Sequence, residues 1–125
     1  MAKLKKQKKL VICDDKPCVR SALRLIIEQV ADLEVTGEAS DAARLREILR
    51  QSPPDLLLLD WELEGVHTAE FVTEIRRDGL AGKVIVMSSR LEANQESREV
   101  GVDGFICKSD PPEQVRMIIR KTLNS

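Results

Sequence analysis

The chain has 125 residues, 42% of them apolar and 33% charged, with a formal net charge of −1. That length and balance fit one globular domain with a single core and exclude a disordered chain, and the near-neutral charge excludes a global field selecting nucleic acid, membrane or acidic substrates. Aromatic residues make up only 2%, which weighs against a nucleic-acid surface built on stacked rings and demands an aliphatic core.

Residues 1–9 hold Lys3, Lys5, Lys6, Lys8 and Lys9 and read as a basic N-terminal tail, with residues 10–125 as the domain. The apolar run after them, LVIC, is too short for a signal peptide or a membrane span. Cys13, Cys18 and Cys107 are odd in number and lack metal-ligand spacing, which fits a reduced, cytoplasmic protein. KLVICDD is a short aliphatic strand ending in acids. Pro17 then suits a first helical turn, and Val19, Leu23, Ile26, Ile27 and Val30 follow at helical spacing.

LEVTGEAS reads as a second strand, with Ser40 or Asp41 capping a helix that carries Leu45, Ile48 and Leu49. PPD ends that helix and LLLLD is the third strand. Thr68 to Asp78 is helical, with Phe71, Val72 and Ile75 inward and Gly79 near its end. KVIVMSS is the fourth strand, followed by a weak helix over 91–100. GFICK is the fifth strand, and PPEQVRMIIRKTL is a last helix burying Val115, Ile118, Ile119 and Leu123. Strands apolar on both faces and alternating with helices predict a parallel sheet covered on each side, a small doubly wound α/β domain of five βα units. Periodicity leaves the strand order open.

In such folds, sites form beyond the carboxyl ends of the strands. Those ends carry Asp14 and Asp15, Asp60, Ser88 and Ser89, and Lys108; the second strand offers Glu38 as its only acid. A lone buried carboxylate is costly, so Asp60 after four leucines must be paired, metal-bound or placed at an open rim. Clustered carboxylates without His or thiolate ligands suit a hard cation, and Mg²⁺ is the natural choice. Mg²⁺, Lys108 and Ser88 could each meet one phosphoryl oxygen while Asp60 attacks phosphorus to give an acyl phosphate. Plainer readings stand beside these: Asp14 and Asp15 as helix caps, Lys108 as a surface lysine, Trp61 and His67 as packing or surface residues, Cys13 and Cys107 as small core residues.

With the DD of ICDDKP, Asp60 after the leucine run, Ser88 in VIVMSS and Lys108 in GFICK, the chain resembles a receiver domain of two-component response regulators over nearly its whole length. GEASD and GVDGFICKSDPPEQV are similar to the NarL/LuxR-type subfamily, whose full-length members usually add a DNA-binding helix-turn-helix domain. The resemblance implies a flavodoxin/CheY-like fold and Asp60 as phosphoacceptor from the histidine of a sensor kinase. It implies Asp14, Asp15 and Asp60 as Mg²⁺ ligands with the Glu62 main-chain carbonyl, and Ser88 and Lys108 as contacts to the phosphoryl group. It makes Phe105 the aromatic that changes rotamer as Ser88 moves. Switching would act on a partner or a homodimer mate, with transcription regulation as the usual output and DNA contacted only through an effector domain absent from this chain.

The sequence also departs from the family. Glu64 and Thr68 stand where most receivers have a proline and then a glycine. The interval from Ser88 to Lys108 is about two residues short of the family's usual spacing, a loss falling in or before the weak fourth helix. Glu62 and Arg90 each lie two positions past a site residue, and an ion pair at the pocket rim would hinder the water that hydrolyses the acyl phosphate. Two other functions compete: a degenerate receiver used as a phosphorylation-independent binding module, and a Mg²⁺-dependent phosphohydrolase with Asp60 as nucleophile and Glu62 as the second acid. The reading adopted is a switch, not a turnover enzyme.

Overall fold

The structure, a computed structural model, describes residues 7–125; Lys3, Lys5 and Lys6 of the basic tail lie outside them. Five strands and five helices alternate: β1 (Lys8–Cys13), α1 (Pro17–Glu28), β2 (Leu33–Ala39), α2 (Ala42–Gln51), β3 (Leu56–Asp60), α3 (Thr68–Arg77), β4 (Lys83–Ser88), α4 (Glu92–Glu99), β5 (Gly104–Cys107) and α5 (Pro112–Leu123). β1 begins two residues before the sequence boundary at Leu10, so Lys8 and Lys9 are strand residues. The strands form one parallel sheet in the order β2-β1-β3-β4-β5. This is the CheY-like receiver fold.

Local chemistry sets the helix boundaries. Pro17 opens α1, where its missing N–H costs nothing. Asp41, not Ser40, caps α2, its side chain accepting the Arg44 N–H at 2.8 Å. After α3, Gly79 takes the left-handed turn at φ 63 that ends the helix.

The leucine run explains the two-layer core. Successive strand side chains point to opposite faces, so Leu57 and Leu59 join Val11, Val84 and Val86 against Leu45 and Leu49 of α2 and Phe71, Val72 and Ile75 of α3. Leu56 and Leu58 join Leu10, Ile12, Ile85 and Met87 against Leu23 and Ile27 of α1 and Val115 and Ile119 of α5. All four leucines are fully buried, each worth about 1.5–3 kcal/mol relative to exposure. The strand is therefore fixed in depth and register, and Asp60 is carried to its carboxyl end, opposite Met87. α4 is the exception: the residues it buries, Ala93 and Ser97, are small, where each other helix buries a large apolar side chain. No helix among the described residues is long and apolar enough to cross a membrane.

Candidate functional site

The chain runs from β1 outward to β2, then crosses back over β1 to β3. That reversal opens a crevice between the ends of β1 and β3, the usual location of sites in open α/β sheets. Asp14 and Asp15 follow β1, Asp60 closes β3, Ser88 closes β4 and Lys108 follows β5. Asp14, Asp60 and Ser88 are buried and Asp15 is half-buried. Asp14, Asp15 and Asp60 each present a carboxylate oxygen, and these oxygens lie within 4.8 Å of one another.

Asp14 is held on every side but one. Its N–H donates to the Ala39 carbonyl at 3.1 Å, and its Oδ1 accepts the Lys16 N–H at 2.9 Å. Its Oδ2 is buried, with the Lys108 ammonium at 2.9 Å as ionic neighbour but no hydrogen bond of regular geometry. Lys108 Nζ also lies 3.3 Å from Asp60 Oδ1, which accepts the Glu62 N–H at 3.1 Å. Burial, then the Asp14 carboxylate, push the Asp60 carboxyl above its ordinary value, against the pull of Lys108. Burial disfavours the Lys108 ammonium, but its contacts with Asp14 and Asp60 outweigh this and hold the group above the usual lysine range. The all-oxygen donor set, the under-satisfied Asp14 Oδ2 and the open side next to Asp15 fit a hard cation such as Mg²⁺.

A second set of contacts runs from Ser88 towards α4. The Ser88 hydroxyl donates to Glu62 Oε1 at 2.6 Å and accepts the Arg90 N–H at 3.0 Å. Arg90 Nε lies 3.5 Å from Glu62 Oε2, and its Nη2 donates to Glu96 Oε1 at 2.7 Å. Trp61 Nε1 donates to the same Glu96 oxygen at 3.0 Å. Glu62 and Arg90 thus stand together beside Ser88, with Glu62 turned onto its hydroxyl. Phe105 is half-buried and packs on the α2–α3 side of the core.

The family model for the response regulator receiver domain matches residues 10–120. The chain belongs to that family. It is similar to the nitrate/nitrite response regulator NarL of Escherichia coli strain K12, 31% identical over 111 residues that cover 85% of this chain and 50% of NarL. It is 28% identical to the response regulator VraR of Staphylococcus aureus strain Mu3 over 116 residues, 91% of this chain and 56% of that protein. Among solved structures, a LuxR-family two-component response regulator from Aurantimonas sp. SI85-9A1 superposes with a TM-score of 0.85 at 27% identity, covering 95% of this chain and 86% of that one. The chain spans about half the length of the curated relatives it matches. A receiver domain is a signalling module and not itself a catalytic enzyme, which counts against the phosphohydrolase alternative.

Sequence reasoning did not find several partners within this receiver. Trp61, read as an isolated residue, is tied to α4 through Glu96. Glu38 does not join the acid cluster; it pairs with Arg20 and Arg24 of α1. Cys107 is half-buried, with Sγ 3.1 Å from Ser109 Oγ. Cys13 is fully buried, and burial, reinforced by Asp14, Asp60 and Asp41, pushes its thiol up to about 12, so it stays protonated and inert at neutral pH.

Proposed function

We propose that this receiver accepts a phosphoryl group on Asp60 from the phosphohistidine of a sensor kinase, in a Mg²⁺-dependent reaction, and so switches its contacts with a partner or a second copy. An Asp60 oxygen attacks phosphorus as the bond to the histidine nitrogen breaks. The electron pair leaves with the imidazole, which is reprotonated, and an acyl phosphate remains. The observation that carries this reading is the convergence of three carboxylates within 4.8 Å of one another with the Lys108 ammonium 3.3 Å from Asp60. Asp14, Asp15, Asp60 and the main-chain carbonyl of Glu62 would hold Mg²⁺, which supplies positive charge opposite the phosphoryl oxygens. Lys108 would take one of those oxygens and the Ser88 hydroxyl another.

Ser88 cannot serve two acceptors with one proton. To donate to the phosphoryl group it must leave Glu62, and that exchange would move the Arg90–Glu96–Trp61 chain along α4 while Phe105 changes rotamer. The two arrangements form a bistable element that modification biases. With the Glu62–Arg90 pair across the rim, water reaches the acyl phosphate slowly. The setting we propose is a cytoplasmic regulator of the NarL type, acting on transcription through an effector domain; the similarity to NarL supports the type.

The chemical nature of the product tests this reading. Label incorporated from acetyl phosphate in the presence of Mg²⁺ should be released by neutral hydroxylamine, which cleaves acyl phosphates and spares phosphoesters. Label that survives hydroxylamine would place the phosphoryl group on something other than a carboxylate and overturn the assignment to Asp60.

A further inference from the structure

α1 opens on Pro17 but lacks the polar cap and the acidic first turn that usually steady a helix N-terminus. Its cap, Lys16, makes no side-chain cap hydrogen bond, and the first turn contains no acidic residue. Arg20, the fourth residue of the helix, adds a charge of the sign that the helix dipole disfavours at this end. Its side chain is nevertheless well covered, at 18% exposure. Helical side chains lean towards the N-terminus, and Arg20 accordingly reaches back over the turn that carries the acids. Its Nη1 donates to the Asp14 main-chain carbonyl at 2.6 Å, while its Nε lies 3.3 Å from Glu38 Oε1 on β2. The other Glu38 oxygen accepts Arg24 Nε at 2.9 Å and Arg24 Nη2. The Asp14 N–H donates to Ala39, the residue after Glu38. Both faces of the Asp14 peptide backbone are therefore anchored to the end of β2, one directly and one through the Arg20 guanidinium.

We propose that Arg20 is a positioning residue for the cation site: with Glu38 it fixes the main chain at Asp14 so that the Asp14 and Asp15 carboxylates meet Asp60 in the arrangement that takes Mg²⁺. The inference rests on the reading of these three acids as the Mg²⁺ site. Charge alone works the other way, because a guanidinium beside the acids repels a cation. Geometry must outweigh that repulsion for Arg20 to help. The two-point grip depends on the rigid planar fork of arginine, which the single ammonium of lysine cannot reproduce. Arg20→Lys therefore keeps the charge and removes the grip.

The test is calorimetric titration of the whole chain with MgCl₂, for the wild type, Arg20→Lys and Glu38→Gln, beside thermal melts without metal. Outer contacts that orient metal ligands typically carry tenfold effects or more on affinity; acting here through the main chain, the loss expected for Arg20→Lys is about three- to tenfold. Glu38→Gln, which keeps one acceptor, should weaken binding in the same direction by less. The metal-free melting temperature of Arg20→Lys should move by no more than about 3 °C. Wild-type affinity in both variants, or tighter binding, would overturn the inference, whatever happens to the melting temperature. Failure of the wild type to bind Mg²⁺ would overturn the metal site itself, and the role of Arg20 with it.

Discussion

At Asp60 two environments compete. Burial and the nearby Asp14 carboxylate favour the neutral acid, Lys108 favours the anion, and the first pair prevails. The folded protein then binds this proton more tightly than the unfolded chain does. Its stabilising contribution is fully present below the unfolded pKa, near 3.8, and is lost as pH rises through the raised folded value. Asp60→Asn removes that loss, so without Mg²⁺ it should raise the melting temperature at neutral pH by a few degrees, and the gain should shrink at acid pH and on adding Mg²⁺. Equal melting temperatures for the two proteins at pH 7 and pH 4.5 would refute this balance. At the rim, Glu62→Ala or Arg90→Ala should shorten the life of the phosphorylated protein by about two- to fivefold, a modest effect because both side chains are solvent-exposed. Unchanged decay in both variants would remove the proposed shield. These residues also mark the limit of what sequence can tell. The convergence of Asp14, Asp15, Asp60 and Lys108 was legible because each stands at or just beyond the end of a strand with an apolar run. The partner of the Ser88 hydroxyl and the grip of Arg20 were not, because they depend on side-chain directions that only the packed fold determines.

Among the elements, α4 differs most from its neighbours. It has eight residues and buries only the small Ala93 and Ser97, whereas α3 buries Thr68, Phe71, Val72 and Ile75. Its other ties run through Glu96, which meets Trp61 and Arg90 at the exposed surface. Few buried contacts and exposed backbone bonds are the features of low local stability. Amide hydrogen exchange should therefore be fastest, among the helices, in α4, and Glu96→Ala should speed it further. Protection equal to that of α3 would show that the polar chain holds α4 as firmly as a buried face does. The sequence pattern predicted α4 as the weakest helix, since EANQES offers little apolar face. Its coupling to Trp61 was invisible there, because the contact joins residues 35 positions apart.

For the molecule as a whole, one apolar run does two jobs. Alternate leucines of β3 feed the cores on the two faces of the sheet, and the same strand delivers Asp60 to the crevice between the ends of β1 and β3. The parallel α/β class was legible because β3, β4 and most of β1 are apolar on both faces and every strand alternates with a helix. The order β2-β1-β3-β4-β5 was not legible from periodicity, which describes each segment and says nothing of its neighbour; only the family resemblance implied it. We propose that this assembly works as a Mg²⁺-dependent phosphoacceptor centred on Asp60. Intact mass after incubation with phosphoramidate, with and without Mg²⁺, tests it most directly. The wild type should gain one phosphoryl group with Mg²⁺, with no gain without the metal or in folded Asp60→Asn. A wild type that stays unmodified under the same conditions, or an Asp60→Asn protein that gains the same mass, would contradict it.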